Sequence, residues 1–295
     1  MAKRAVPPPG LGDIMAANRP PLMNAPRDRT AWLLGGEAHC LTPPLIPPQP
    51  RRIVLLGPPG IGKGTQAALL GAALGACHLS TGEILRTARP APPTPPGPAM
   101  RTALNYARRG DIVPEDVLLD LINERCRCLT CAGGFILDGF PRTLRHAEAL
   151  DRLLENNDLS LDAVVLYDLP ATQIVPRLLG RRFCPTCQRI YHVKTCPPKV
   201  TGICDDCQSK LTQRRDDRID SIRLIQGSYA SSPQPLIRHY QSRGLLVIVP
   251  AQGTPEEIFM RTIDAFKHAS AAQPAWNTAD FLPPAGNVPS VTEGS

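Results

Sequence analysis

The chain has 295 residues, is 42% hydrophobic and 20% charged, and carries a formal net charge of +7. This is a soluble globular composition, long enough for one large or two ordinary domains. No run approaches the roughly 20 apolar residues a bilayer span needs, and short pairs such as Arg108–Arg109 and Arg214–Arg215 are not a dense nucleic-acid-binding run. Ten cysteines in a long chain without a secretory h-region argue for a reducing compartment and metal ligation over a disulfide framework.

Residues 1–50 hold 11 of the 34 prolines and no serine, and include Asp13, Asp28 and Glu37. Proline lacks an N–H and fixes φ, so this density opposes helix and strand alike. The reading is a disordered leader over 1–50, a compact domain over 51–268 and a disordered tail over 269–295. An organellar address is the minority alternative, because transit peptides are serine-rich and poor in acids.

The run RRIVLLG then reads as a buried strand closed by glycine, followed by a Gly-rich turn and a helix in PPGIGKGTQAALLGAALG. Phe135–Asp138 (FILD), Ala163–Leu169 (AVVLYDL) and Leu245–Val249 (LLVIV) repeat the strand pattern, separated by helix-patterned sequence. Apolar strands alternating with helices mean βαβ units and a parallel sheet covered on both faces.

From Gly57, GPPGIGKGT fits GxxxxGK and lies between a strand and a helix, the context a phosphate loop demands. Glycines let backbone N–H groups converge on phosphate, and the helix aims its positive end at the same anion. Lys63 would reach the β- and γ-phosphates, and the Thr65 hydroxyl would help hold Mg²⁺. Downstream, STGEILR offers Thr81 and Arg86. LDGFPRT ends a strand with Asp138, suited to orient waters around Mg²⁺, and places Arg142 beyond the sheet's carboxyl edge, where open α/β sheets bind ligands. Between Arg182 and Leu211 the alternation breaks. There Cys184-x-x-Cys187 and Cys204-x-x-Cys207 are separated by 16 residues, a four-thiolate Zn²⁺ site that is either a nucleic-acid ribbon or a structural clip. Cys126, Cys128 and Cys131 form a second group, read as ordinary exposed thiols in a surface loop.

GPPGIGKGTQ, STGEILR, LDGFPRT, GRRFCPTC, YHVKTCPPKV and RRDDR occur in an order and at a spacing that resemble adenylate kinases of the long-lid type with a zinc-binding lid. The resemblance implies a P-loop NTPase-type five-stranded parallel sheet, an AMP-binding helical insertion over 80–113 and a small zinc-ribbon lid over 182–213. It implies the reaction ATP + AMP ⇌ 2 ADP with Mg²⁺ in a cytoplasmic monomer, with no nucleic-acid or membrane partner, and makes the cysteine segment a lid that closes over ATP. By the same resemblance Gly60, Ile61, Gly62, Lys63, Gly64 and Thr65 form the ATP phosphate loop. Arg177 and Arg181 stand at the lid base, Ile190 and Tyr191 in the lid's nucleotide-facing strand, and Gly253 beside the adenine. Thr81, Arg86, Asp111, Ile112, Val113, Gly139, Phe140, Pro141, Arg142, His146, Arg214 and Arg223 resemble the AMP side. Lys63, Arg142, Arg177, Arg181 and Arg214 would supply the charge that stabilises phosphoryl transfer.

Three positions depart from the family pattern. Arg89–Pro98 carries six prolines where the AMP-covering helices continue, so a reshaped AMP lid is expected. His146 stands where a glutamine normally reads the adenine edge, which opens the alternative of another monophosphate or a GTP donor. After RRDDR, Arg223 is present but Ile225 replaces a second arginine, which motivates reduced activity or a nucleotide-binding pseudo-kinase and scaffold.

Overall fold

The computed structural model describes residues 28–40, 49–87, 97–109, 111, 113–187, 189–214, 217 and 233–268. In chain order its elements are α1 (Thr30–Leu34), β1 (Arg52–Leu56), α2 (Lys63–Leu74), β2 (Cys77–Ser80), α3 (Thr81–Thr87), α4 (Pro98–Arg109) and α5 (Glu115–Asn123). There follow α6 (Cys126–Leu129), β3 (Phe135–Asp138), α7 (Leu144–Glu155), β4 (Ala163–Asp168), α8 (Ala171–Gly180), β5 (Arg181–Phe183) and β6 (Ile190–His192). The last are α9 (Pro233–Ser242), β7 (Leu246–Pro250) and α10 (Pro255–Lys267).

Side chains alternate across a strand, and here both faces are apolar. Val54, Leu56, Phe135, Leu137 and Val164 enter one core with Leu118 and Leu121 of α5 and Leu150 of α7. Ile53, Leu55, Ile136, Val165, Val247 and Val249 enter a second with Leu70 of α2, Leu178 of α8 and Phe266 of α10. The result is a five-stranded sheet in the order β2-β3-β1-β4-β7, parallel throughout, with helices on both faces. Its carboxyl edge gathers the ends of β1, β2, β3 and β7. β5 and β6 form a separate antiparallel pair, the stem of the cysteine-bearing lid. Among the described residues no helix is long and apolar enough to cross a membrane.

The disordered leader expected over 1–50 needs one correction. α1 is packed: Trp32 is fully buried in the first core, and its indole N–H donates to the Ser80 carbonyl at 3.1 Å. Proline density opposes regular structure only where prolines stand, and Arg27–Thr42 has none. Removing a fully buried Trp side chain costs about 3–5 kcal/mol, so this segment belongs to the folded domain. The remaining leader residues before 28, residues 41–48, and the tail after 268 lie outside the described residues.

Candidate active site

The chain leaves β1 through Gly57, Gly60 and Gly62, at φ of +136°, +87° and +109°, and enters α2 at Lys63. A side chain at Gly60 would put its Cβ 2.5 Å from Leu178 Cγ, so only glycine fits. This turn leaves the first N–H groups of α2 without helical partners, an anion cradle. Lys63 Nζ folds back to donate to the Gly57 and Pro58 carbonyls, at 2.7 and 3.1 Å. Burial draws the ammonium's pKa below its ordinary value; Asp138 opposes that, and the charges of Arg142 and Arg181 add to it. Ile61 is buried, and its carbonyl accepts from Arg177 at 3.4 Å, so it offers the cradle backbone only. Thr65 and Gly64 sit half-buried in the first turn of α2, and a Cβ on Gly64 would lie 3.7 Å from Asp138 Oδ2.

Across the cradle, Ser80 caps α3 by accepting from the Glu83 N–H at 3.3 Å. The buried Thr81 hydroxyl points to the Asp138 carbonyl at 3.4 Å. Gly139 (φ +88°) lies so close that a Cβ would stand 2.5 Å from Thr81 Oγ1. Burial alone would raise the Asp138 pKa, but the nearby His78, Lys63 and Arg86 outweigh it and hold the carboxyl below its ordinary value. His78 Nε2 is 3.8 Å from Asp138 Oδ2, too far for a normal hydrogen bond, so its pull is electrostatic. Arg142 is exposed, anchored by Nε to the Gly139 carbonyl at 2.9 Å. The charge of Arg86, exposed on α3, acts on both Asp138 and Arg142. Phe140 is buried and joined to the buried Pro141 by a cis peptide bond. Asp111 is exposed and paired with Arg109 at 2.8 Å, Val113 is in the first core, and Ile112 lies outside the described residues.

His146 does not stand in the cleft. It is 1% exposed; Nδ1 accepts from the Arg142 N–H at 3.3 Å, and Nε2 faces the Glu115 carbonyl at 3.2 Å. This pattern fits the neutral Nε2–H tautomer. Burial lowers the ring's pKa below 6.5, the charges of Arg142 and Arg145 add to that, and the Glu115 contacts oppose it. Its neighbour Phe140, 4.7 Å away between ring centroids, completes the packing.

The lid base carries three arginines. Arg177 on α8 donates to the Ala251 carbonyl at 3.0 Å, next to Gly253, whose Cβ position (φ +95°) is taken by the Glu257 carboxylate. Arg181 forks onto the buried Asp217, with Nε at 2.8 Å from Oδ2. Arg214 lies over the Phe183 ring at 5.2 Å. Arg223 and Ile225 lie outside the described residues.

In the lid, Cys184 and Cys207 sulfurs are 3.3 Å apart, Cys187 and Cys204 3.4 Å, and all four fall within 4.8 Å of one another. Four thiolates at about 2.3 Å from a tetrahedral metal stand about 3.8 Å apart, so the group fits such an ion. Hydrogen bonds from Ser209 lead in drawing Cys207 down to about 6, while burial pushes Cys187 up to about 12. Tyr191 departs from its expected nucleotide-facing position. It is 1% exposed in the lid's own small core, its hydroxyl 3.4 Å from Cys204 Sγ and accepting from the Asp205 N–H at 2.8 Å. The side chain exposed on that strand is Ile190. Alternation along β6 explains the exchange: one of the two must face inward.

The second thiol group is not the surface loop expected. Cys126–Leu129 is a short helix, and Cys128 is half-buried against the first core. Burial leads in pushing its thiol up to about 12, with Cys40, Cys131 and Cys77 nearby contributing. Among the described residues only the lid cysteines converge to metal-binding distance. Sequence reasoning missed His78 and Glu115, for which no motif spacing gave a signal, Asp217, which stands within RRDDR and could have been read as a partner for a lid-base arginine, and α1, whose buried Trp32 was visible in AWLLGG.

A phosphate cradle, an arginine-lined carboxyl edge and a lid define a P-loop phosphotransferase. Residues 55–245 match the family model described as adenylate kinase. The chain is 46% identical over 213 residues to "Adenylate kinase" of Gloeobacter violaceus, covering 71% of this chain and 95% of that one. It is 41% identical over 208 residues to that of Clostridium novyi (70% and 94%), and 40% over 223 residues to that of Streptomyces avermitilis (75% and 100%). The chain belongs to the adenylate kinase family, and as such it is a nucleoside monophosphate kinase.

Proposed function

We propose that the chain catalyses the reversible, Mg²⁺-dependent reaction ATP + AMP ⇌ 2 ADP as a cytoplasmic monomer with no nucleic-acid or membrane partner. The observation that carries it is the gathering of Lys63, Asp138, Arg86 and Arg142 at the carboxyl edge, between the cradle and α3, close enough for their charges to act on one another, with Arg181 of the lid base near enough to act on Lys63. The cradle Gly60–Thr65 holds the ATP phosphates, and the backbone turn at Gly253 lies beside the base. Thr81, Arg86, Gly139–Arg142 and the stretch 111–113 bound the AMP side.

An anionic oxygen of the AMP phosphate attacks the γ-phosphorus, the bond to the β–γ bridging oxygen breaks, and two ADP remain. No protein base is needed, since the nucleophile is already anionic. Lys63, Arg142, Arg177, Arg181 and Arg214 stabilise the charge that spreads over the transferred group. On lid closure, Arg181 is free to exchange Asp217 for phosphate. Closure also excludes the water that would otherwise accept the phosphoryl group. Mg²⁺ bound with ATP neutralises phosphate charge; Thr65 and the ionised Asp138, directly or through waters, are the residues that would hold it. Cys184, Cys187, Cys204 and Cys207 would hold Zn²⁺ as a closed structural site, with Tyr191 braced against Cys204.

Ile225, where the family pattern carries an arginine, favours a second reading of reduced turnover or nucleotide binding without chemistry. The deciding assay is ADP formation from Mg-ATP and AMP by the wild-type chain and by Ile225→Arg, with GMP, CMP, UMP and GTP in parallel. Ordinary AMP turnover by the wild type supports the first reading. Negligible turnover restored by Ile225→Arg supports the second. Preference for another monophosphate would overturn AMP as acceptor.

A further inference from the structure

The segment containing α1 precedes the part of the chain that matches the family model, which begins at residue 55, yet its contacts fall on the acceptor side of the site. The Arg29 guanidinium grips the Glu83 carboxylate with both terminal nitrogens, at 2.6 and 2.9 Å, and one also reaches the His78 carbonyl at 3.3 Å. Trp32 donates to the carbonyl of Ser80, the residue whose hydroxyl caps α3. The Trp32 carbonyl in turn accepts from Arg125 Nε at 2.6 Å, and Arg125, itself buried, also bonds the Leu121 carbonyl (3.0 Å) and Met100 Sδ (2.8 Å). Gly35 closes α1 at φ +69° and lies flat against that guanidinium; a Cβ there would be 2.7 Å from Arg125 Cζ. One short segment therefore ties together β2, the start of α3, and the helices α4 and α5.

What it ties is functional. α3 has only seven residues, and it delivers Thr81 and Arg86 to the cleft. Beyond it in sequence, Arg89–Pro98 carries six prolines, residues that have no backbone N–H to donate. α3 is thus held from the side and from its N-terminal end. A bidentate arginine–carboxylate pair fixes direction as well as distance, so Arg29 orients α3 through Glu83, and with it Arg86 one turn further along the same side and Thr81 on the other side.

We propose that Asp28–Gly36 is a built-in strap that sets α3 in its monophosphate-binding geometry, with Arg29 and Trp32 as positioning residues. This rests on the reading of the α3 side as the acceptor site. The strap touches none of Lys63, Arg177 or Gly253, so its effect is confined to one of the two substrates.

The test uses the full-length chain and the variants Arg29→Ala, Trp32→Phe, and Arg29→Glu combined with Glu83→Arg. Trp32→Phe keeps an aromatic ring in the core while deleting the indole N–H. KM for AMP at saturating Mg-ATP, KM for ATP at saturating AMP, kcat, and hydrogen–deuterium exchange of residues 78–87 are measured together. For Arg29→Ala the expected result is a rise in KM for AMP of about three- to tenfold, with KM for ATP and kcat within about twofold. Exchange across α3 should quicken while that of α2 stays unchanged, and the charge-swapped pair should recover most of both effects. An unchanged KM for AMP with unchanged α3 exchange overturns the strap. So does a loss spread equally over both substrates, which is the mark of a general stability defect. If the wild-type chain fails to use AMP at all, the acceptor assignment falls, and the exchange of α3 still decides whether the strap holds it.

Discussion

The two sides of the cleft are built in different ways. The side read as the ATP site is local: Gly57 to Thr65 form one turn and the start of one helix, and the restrictions there are the positive φ of Gly57, Gly60 and Gly62 and the close approach of Leu178 to Gly60 and of the Tyr167 carbonyl to Gly57. The side read as the AMP site is assembled from pieces far apart in sequence, with Thr81 against Asp138, His146 against Glu115, and Arg29 against Glu83. A local motif can be read from spacing because its geometry follows from the spacing. An assembled site has to be found in three dimensions, and it can be rebuilt piece by piece without losing the fold.

Loss of Lys63 tests that contrast with the largest expected effect. Lys63→Ala removes the one cation that the cradle supplies itself, and ADP formation should fall by about 10³-fold or more. Arg142→Ala should fall about 10²–10³-fold, since Arg86 remains on the same side. An equal loss for both would show that the AMP side has no such redundancy. Activity is read by coupled ADP assay, with circular dichroism to confirm that the variants fold.

The lid is a third kind of construction, in which four side chains replace a core. Its own core consists of Cys184, Tyr191, Cys204 and Leu211 with Cys207 at its edge, too little to hold about 30 residues unaided. Removing metal with a chelator, or Cys204→Ser, should release about one equivalent of metal and expose the remaining lid thiols to rapid alkylation. Activity should fall about tenfold or more through the lost closed state, while nucleotide-free melting of the sheet domain shifts little. Cys128 provides the internal control. Its raised pKa and burial keep it slow to react with or without metal.

A smaller effect is expected at Gly139. In Gly139→Ala the new methyl would meet Thr81 Oγ1, and φ of +88° is costly for alanine, together about 1–3 kcal/mol. The penalty should appear in KM for AMP more than in KM for ATP. The corresponding Gly60→Ala should do the reverse, because its clash with Leu178 displaces the cradle.

The parts legible in the sequence were those whose geometry is local or doubly apolar. FILD is β3 to the residue, and the runs at Ala163 and Leu245 are β4 and β7 within a residue or so: β3 and β4 are buried on both faces, while the edge strand β7 is buried on one face only but keeps an unbroken apolar run. β2 was not legible: CHLS is four residues with two polar side chains, and only pairing with β3 makes it a strand. α1 was hidden by its neighbours, since proline counts averaged over 50 residues mask a proline-free turn with a buried Trp. His146 was read by alignment to a motif position, but alignment fixes the backbone and not where the ring goes.

That ring gives the smallest and most particular effect. The folded chain holds His146 neutral with its pKa below the ordinary 6.5. Between the folded and unfolded pKa values the unfolded chain binds a proton that the folded chain refuses, so stability rises with pH across that window. The contribution is therefore intact above about pH 6.5 and is lost as pH falls below it. Urea unfolding at pH 7.5 and 5.5 should show a larger acid loss for the wild type than for His146→Gln, by about 1 kcal/mol or less. The AMP side would feel it first, since Nδ1 holds the Arg142 N–H, and KM for AMP should rise on acidification more steeply in the wild type than in the variant. Equal pH profiles would mean that the ring is exposed in solution and faces the base after all, which would return His146 to the role its motif position implied.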